Sequence, residues 1–373
     1  MIQWIYIDLI VLLCVMSLTG IIIPQILLIA FRKNLFDTPD PRKIHKAEIP
    51  RLGGIAFFPA IMFAVILLYG FGLLYGHELM AESLAENSIS ICFVIAGAIL
   101  LYLVGMADDL IGVRYSAKFV MQAISACLIV IGGLTFSNFH GFLGLYQMPL
   151  VPAVLMTILL IVFITNAVNL IDGIDGLASG LSAIACLFYA FVFIDAGLYI
   201  YSALAVATLG TLVPFYIYNV FGNAQKRKKI FMGDTGALTI GLFLSVMAIR
   251  ITQIPDDASG YNSAVMAFAP LLIPCLDVVR VYLHRIKARR NPFLPDKCHI
   301  HHKLLALGMK QRVAMMTIIG TSAIVILLNY VACRYISITS LFFADLILWI
   351  VANTILTRSI HVRERRLSRA LYE

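Results

Sequence analysis

Apolar runs about as long as a bilayer is thick follow one another along almost the whole chain. Short segments rich in Lys and Arg separate them. A spanning helix needs about 20 predominantly apolar residues. Eleven runs meet that requirement: 5–31, 53–75, 89–107, 118–136, 150–168, 177–194, 198–218, 236–253, 263–283, 313–334 and 339–357. The sixth and seventh are parted only by Asp195-Ala196-Gly197. This pattern predicts an all-α integral membrane protein of about eleven transmembrane helices. No segment is long and polar enough to fold separately in water, so 1–373 reads as a single polytopic domain. The first run lacks a cleavage site of small residues near its end and is expected to be a retained helix, not a signal peptide.

Composition agrees. Of 373 residues, 61% are hydrophobic and 13% charged, against roughly 45–50% and about 25% in soluble domains. The net charge of +8 is a question of topology before it suggests nucleic acid. If eleven helices alternate, 25 of the 28 Lys and Arg fall on one side, in 32–52, 108–118, 219–235, 284–312 and 358–373. The positive-inside rule then puts these loops and the C-terminus in the cytoplasm and the N-terminus outside. Anionic headgroups are the expected neighbours of most of these cations, and no nucleic-acid partner is needed. The seven cysteines show no CxxC spacing, so neither a disulfide framework nor a zinc site is expected.

The carboxylates change the picture. Asp108 and Asp109 end the third run, Asp172 and Asp175 lie in NLIDGIDG after the fifth, and Asp234 lies in FMGDTG before the eighth. Asp277 is just inside the ninth, and Asp296 follows it in PDKCHIHH with His299, His301 and His302. All are expected near one membrane face. Ionisable groups at membrane depth are costly and suggest function. Each motif alone has a plainer reading. The aspartate pair could terminate a helix. Asp172 and Asp175, three apart, would share a face on one helix, but with Gly173 and Gly176 beside them the segment could be a plain glycine-rich helix break. Asp234 could cap the following helix. The histidines could form a zinc tract, a solvated loop, or a phosphate- or sugar-recognising cluster. Together, carboxylates among basic loops suit a hard cation and a pyrophosphate. The competing class is a multi-pass transporter of a nucleotide-sugar or other anionic solute, but transporters bind cargo near the bilayer midplane. Asp345, deep in the last run, has no place in either scheme.

The ordered set Asp108-Asp109, Asn169-Leu-Ile-Asp172-Gly-Ile-Asp175-Gly, Phe231-Met-Gly-Asp234-Thr-Gly and Pro295-Asp296-x-x-His299-Ile-His301-His302 resembles the polyprenyl-phosphate N-acetylhexosamine-1-phosphate transferases. It looks closest to the bacterial branch that loads N-acetylglucosamine-1-phosphate onto undecaprenyl phosphate, at the start of O-antigen, enterobacterial common antigen or wall teichoic acid. The resemblance implies an enzyme of the bacterial inner membrane, active at its cytoplasmic face, using a UDP-N-acetylhexosamine, undecaprenyl phosphate and Mg2+, with Mn2+ as the alternative ion. It implies Asn169 and Asp234 as metal ligands. It places Asp108 and Asp109 near the lipid phosphate, one of them as a base, with Lys118 in the catalytic set. It implies Asp172, Gly173, Asp175 and Phe231 in the nucleotide pocket, the Phe231 ring stacking on uracil, and Asp296, His299, His301 and His302 in substrate binding. Relatives are often homodimers. Two departures stand out. Gly112 lies near where a lysine follows the aspartate pair in the muramoyl-peptide branch. Ala224 occupies the place of an asparagine seven residues before Phe231, leaving Asn219 and Asn223 as candidates.

Overall fold

In a bilayer core no water can satisfy backbone polar groups, so apolar runs of this length are forced into helices. The computed structural model describes residues 2–36, 49–74, 78–256, 260–289, 291 and 298–367. The helices are α1 (Ile2–Lys33), α2 (Phe57–Leu74), α3 (Glu78–Ile111), α4 (Tyr115–Ile131), α5 (Leu150–Ile171), α6 (Leu177–Asp195), α7 (Tyr199–Tyr216), α8 (Gly233–Thr252), α9 (Ser263–Phe268), α10 (Leu272–Lys287), α11 (Ile300–Ala306), α12 (Gln311–Ala332) and α13 (Ile338–Leu367). Asp296 lies outside the described residues.

Among the described residues, ten helical segments are long and apolar enough to cross a membrane, with α9 and α10 counted together in Ser263–Lys287. The fourth expected run is shorter than predicted. Gly132-Gly133 stops α4 at Ile131, with Gly133 at φ +90°. Its 17 residues span about 26 Å at 1.5 Å per residue, slightly less than a hydrocarbon core of about 30 Å. The expected eleven spans are therefore ten full ones and one short helix.

Helix α8 forms the centre. Its spanning window is 94% buried, against 11% for α13 at the periphery. It packs on α3 and α5, and small residues allow the approach. A Cβ on Gly105 of α3 would press on the Thr235 backbone of α8, and one on Gly241 of α8 on that of Thr165 of α5. Such close backbone contacts are how membrane helices associate without a hydrophobic driving force. The C-terminal ends of α3 and α5 and the first turns of α4 and α8 thereby meet at one end of the bundle. Asp345 and the amide-bearing Asn329 of neighbouring α12 line the same cavity, which gives this intramembrane acid a polar neighbour.

One local expectation is corrected. Asp172 and Asp175 do not share a helical face. Helix α5 ends at Ile171, and residues 172–176 form a turn before α6. Gly176 sits there at φ +78°, a conformation glycine adopts without a Cβ penalty.

Candidate active site

The two adjacent aspartates at the end of α3 point to different tasks. Asp109 reaches the start of α8. Its carboxylate accepts the backbone N–H of Asp234 at 2.8 Å, the N–H of Thr235 at 2.9 Å and the Thr235 hydroxyl at 2.6 Å. The first N–H groups of a helix have no intrahelical partner and favour a negative charge. Asp109 therefore caps α8 from another helix, so Asp234 is not its own cap. Gly233, at φ +72°, makes room, since a Cβ there would strike the Arg51 carbonyl and crowd the Asp109 carboxylate.

Asp108 turns to the cleft. It accepts the Val113 N–H at 2.6 Å and the Lys118 ammonium at 2.9 Å. Lys118, on the first turn of α4, also donates to Asp234 at 2.7 Å. Asn169, on the last turn of α5, donates to the other Asp234 oxygen at 2.9 Å. Four helices thus contribute one connected group, Asp108–Lys118–Asp234–Asn169.

Segment 49–54 fastens the FMGD segment at the start of α8. Phe231 N–H bonds the Pro50 carbonyl at 2.8 Å, while Gly53 and Gly54 N–H bond the Phe231 and Met232 carbonyls at 2.9 and 2.8 Å. On the facing turn, Asp175 pairs with Lys229 at 2.5 Å, and that ammonium lies 5.9 Å from the Phe231 ring centre. Asn219, buried in the π-helical turn Ile217–Phe221, accepts the Gly176 N–H at 2.7 Å and donates to the Ile230 carbonyl at 2.9 Å. It ties the DGIDG turn to the segment that leads into FMGD. Asn223 instead holds the Lys226 N–H at 3.2 Å in an exposed turn. Of the two candidates left by Ala224, Asn219 therefore faces the DGIDG turn and Asn223 does not. Asp172 opens to the cleft yet is ringed by protein. That enclosure, followed by the nearby Asp175 charge, pushes its carboxyl up to about 7 against the opposing pull of Arg51.

The histidines close the remaining side. His299 pairs with Asp277 of α10, His301 stacks near-parallel to His299 with ring centres 5.7 Å apart, and His302 lies 4.1 Å from His301. A Cβ on Gly173 would collide with the His301 ring, so the DGIDG turn and the histidine row are in contact. Burial first, then the neighbouring His302 and His299, hold the His301 imidazole well below its ordinary pKa, hence neutral.

Every predicted site residue among the described ones lies at this end of the bundle: Asp108, Asp109, Lys118, Asn169, Asp172, Gly173, Asp175, Phe231, Asp234, His299, His301 and His302. Sequence reading missed Lys229 and the partnership of Asp277 with His299, and left Asn219 undecided against Asn223. Lys229 stands two residues before Phe231 in a run of basic residues, and nothing in that run singles it out.

This arrangement can be compared with known proteins. The family model for glycosyl transferase family 4 matches residues 91–252. A decaprenyl-phosphate N-acetylglucosaminephosphotransferase of Mycolicibacterium smegmatis is 30% identical over 309 residues, covering 78% of this chain and 73% of that protein. The chain belongs to glycosyl transferase family 4. Undecaprenyl-phosphate alpha-N-acetylglucosaminyl 1-phosphate transferases of Yersinia pestis and Salmonella typhi are 27% and 29% identical, covering 82% and 79% of this chain and 79% and 76% of those proteins. The family model takes in Asp108, Asp109, Lys118 and the NLIDGIDG and FMGD segments, and ends before the histidine row. The chain is thus a multi-pass membrane transferase, and the transporter reading falls.

The donor set also bears on a metal. Among the described residues no three His, Cys, Asp or Glu side chains cluster as a metal site would require. Two carboxylates, Asp108 and Asp234, meet at the Lys118 ammonium instead, and the Asn169 amide lies against Asp234. That is a sparse, all-oxygen set, and it fits a hard divalent cation that keeps water and phosphate oxygens as its other ligands.

Proposed function

We propose that this family 4 transferase moves N-acetylhexosamine-1-phosphate, first N-acetylglucosamine-1-phosphate, from a UDP-sugar to undecaprenyl phosphate, releasing UMP, at the cytoplasmic face of a bacterial inner membrane. The observation that carries the reading is the Asp108–Lys118–Asp234–Asn169 group, held at one end of a membrane bundle beside the Gly173–Phe231 cleft. The relatives named above supply the lipid and the sugar, and the basic loops supply the orientation.

The Phe231 ring offers a face to uracil, with Asp175 and Gly173 on the opposing turn. Lys229 adds a positive charge at that edge. The histidine row closes the end where the hexosamine would lie. A cavity of about 610 Å3, lined by Leu272, Leu276, Val279, Leu283, Phe342 and Leu346 among others, runs between α10 and α13 and suits an isoprenoid tail. A phosphate oxygen of the lipid attacks the β-phosphorus of the UDP-sugar, the bond from that phosphorus to the bridging oxygen breaks, and UMP leaves. A phosphate monoester is largely ionised near neutral pH, so no strong base is required. Asp109 is occupied at the α8 start and acts by placing Asp234. Lys118 supplies positive charge where the transferring phosphoryl group needs it, and the fixed side chains do the rest by positioning. Asn169 and Asp234 would hold Mg2+, which when bound polarises the pyrophosphate and draws off developing charge.

The test is UMP release by purified protein given UDP-N-acetylglucosamine, undecaprenyl phosphate and Mg2+. Release that needs both lipid and metal, stops with EDTA and is abolished in a folded Asp234→Asn variant is the expected result. No release with any UDP-N-acetylhexosamine overturns the proposal.

A further inference from the structure

The histidine row has a foundation that its own motif does not contain. Asp277 sits on α10 with no solvent exposure. One of its oxygens meets His299 Nδ1 at 2.8 Å. The other accepts the Ile300 N–H at 3.0 Å and the Arg280 guanidinium at 2.8 Å. Arg280 also donates to the Cys298 carbonyl. An acid and a base three residues apart on one helix thus grip three consecutive residues of a different segment, Cys298 to Ile300. A buried carboxylate is kept only where it is paired and hydrogen-bonded, and here every recorded partner belongs to that segment or to Arg280.

The chemical consequence lies in the imidazole. A carboxylate at Nδ1 requires a proton there and fixes the ring rotation, which leaves Nε2 as the face-forming nitrogen. His299 is 5% exposed and lies parallel to His301. His301 is fully buried, and both its ring nitrogens lack a hydrogen-bond partner among the described residues. It abuts Gly173 at the cleft wall. A neutral imidazole with an unused donor and an unused acceptor in a closed site is equipped for a polar group of a ligand. The far end of the same short helix is clamped by Lys303, which donates to Asn353 and Thr357 of α13 at 3.1 Å each.

We infer that Asp277 is a positioning residue of the transferase: through His299 it sets the tautomer and placement of the histidine row, and so the binding of the UDP-sugar at the Gly173 wall. This rests on the reaction proposed above. It assigns to an α10 side chain, outside the four motifs, a role in donor recognition rather than in phosphoryl transfer itself.

The experiment is a double-mutant cycle of Asp277→Asn with His299→Gln, read by steady-state UMP release and by calorimetric titration of UDP-N-acetylglucosamine. Asp277→Asn keeps the shape and presents an amide, whose N–H side would force the opposite tautomer. The expected result is a KM and a Kd for the donor raised about tenfold or more, with kcat changed less than threefold. Asp277→Glu should recover most of the binding. On the His299→Gln background, Asp277→Asn should change donor binding less than threefold. Unchanged binding in Asp277→Asn, or equal losses with and without His299, overturns the inference. Thermal unfolding in detergent checks the fold. If Asp277→Asn lacks a transition, the folded His299→Gln variant decides, and an unchanged donor KM and Kd in it overturn the inference. Wild-type protein that binds the donor but releases no UMP refutes the proposed reaction and leaves the binding cycle to decide on Asp277.

Discussion

Asp108 and Asp109 are adjacent and chemically identical, so they offer a sharp test of the site's construction. Asp109 holds two backbone N–H groups and one hydroxyl at the start of α8. Asp109→Ala leaves three donors without their acceptor. Replacing a helix N-cap by alanine costs about 0.5–2 kcal/mol, and each buried donor left unmade costs about 1–3 kcal/mol. Asp109 is half-buried, so water can take up part of the deficit, and about 2 kcal/mol is the expected loss. Asp108→Ala instead frees the half-buried Val113 N–H at the helix end and removes one of the two partners of Lys118, which keeps its bond to Asp234. Its expected cost is about 1 kcal/mol, because one backbone donor is left and the ammonium stays paired. Thermal unfolding of the two variants in the same detergent reads the difference, with UMP release measured in parallel. Asp109→Ala should unfold several degrees lower and lose activity because Asp234 moves. Asp108→Ala should unfold near wild type and lose activity while remaining folded. Equal unfolding temperatures, or a larger drop for Asp108→Ala, would refute the division of labour.

Other outcomes follow from particular contacts. Lys118→Met leaves the Asp108 and Asp234 carboxylates without the ammonium between them, so UMP release should fall at least 100-fold while the Mg2+ concentration for half-maximal residual rate shifts. An unchanged Mg2+ dependence would count against a shared cation site. Gly173→Ala drives a methyl into the His301 ring. It should raise the donor KM about tenfold or more, and His301→Ala in the same chain should relieve part of that; no relief would mean the two do not touch. At the other end, His140 donates from Nε2 to the Thr252 carbonyl at 2.8 Å and meets the Asp256 carboxylate through Nδ1 at 2.9 Å. Burial alone would lower the His140 pKa, but the Asp256 and Thr252 contacts outweigh it and raise it, while Asp256 is lowered, its burial outweighed chiefly by the His140 bond. The histidine's stabilisation is complete below its ordinary value of about 6.5 and is lost as pH rises through its higher folded value. The aspartate's is complete above about 3.9 and is lost as pH falls through its lower folded value. Thermal stability should therefore carry a contribution that is greatest between about pH 4 and 6.5 and vanishes in His140→Gln; identical pH dependence in both proteins would remove the pair from the account.

The apolar runs alone determined a helical membrane bundle, because nothing but a helix satisfies that much backbone in lipid. The order and spacing of the aspartate, glycine and histidine motifs marked the residues that gather at one end, since odd-numbered runs ending and even-numbered runs beginning share a side. The runs also misplaced detail. Hydropathy carried the fourth span past Gly132-Gly133, although the glycine pair ends the helix. Spacing would put Asp172 and Asp175 on one face of a continued helix, but α5 stops at Ile171 and the glycine-rich break forms instead. What only the tertiary structure decided is which partner each polar group takes. Asp108 and Asp109 cannot be told apart in sequence. One faces the cleft and the other caps α8 because the packing of α3 on α8, set by Gly105 against Thr235, brings only one carboxylate to the helix start. Asn219 over Asn223, Lys229 beside Phe231, and Asp277 beneath His299 were hidden for the same reason. Their partners are distant in the chain or lie in segments with no pattern of their own, and a local period records which way a side chain points but not what it meets.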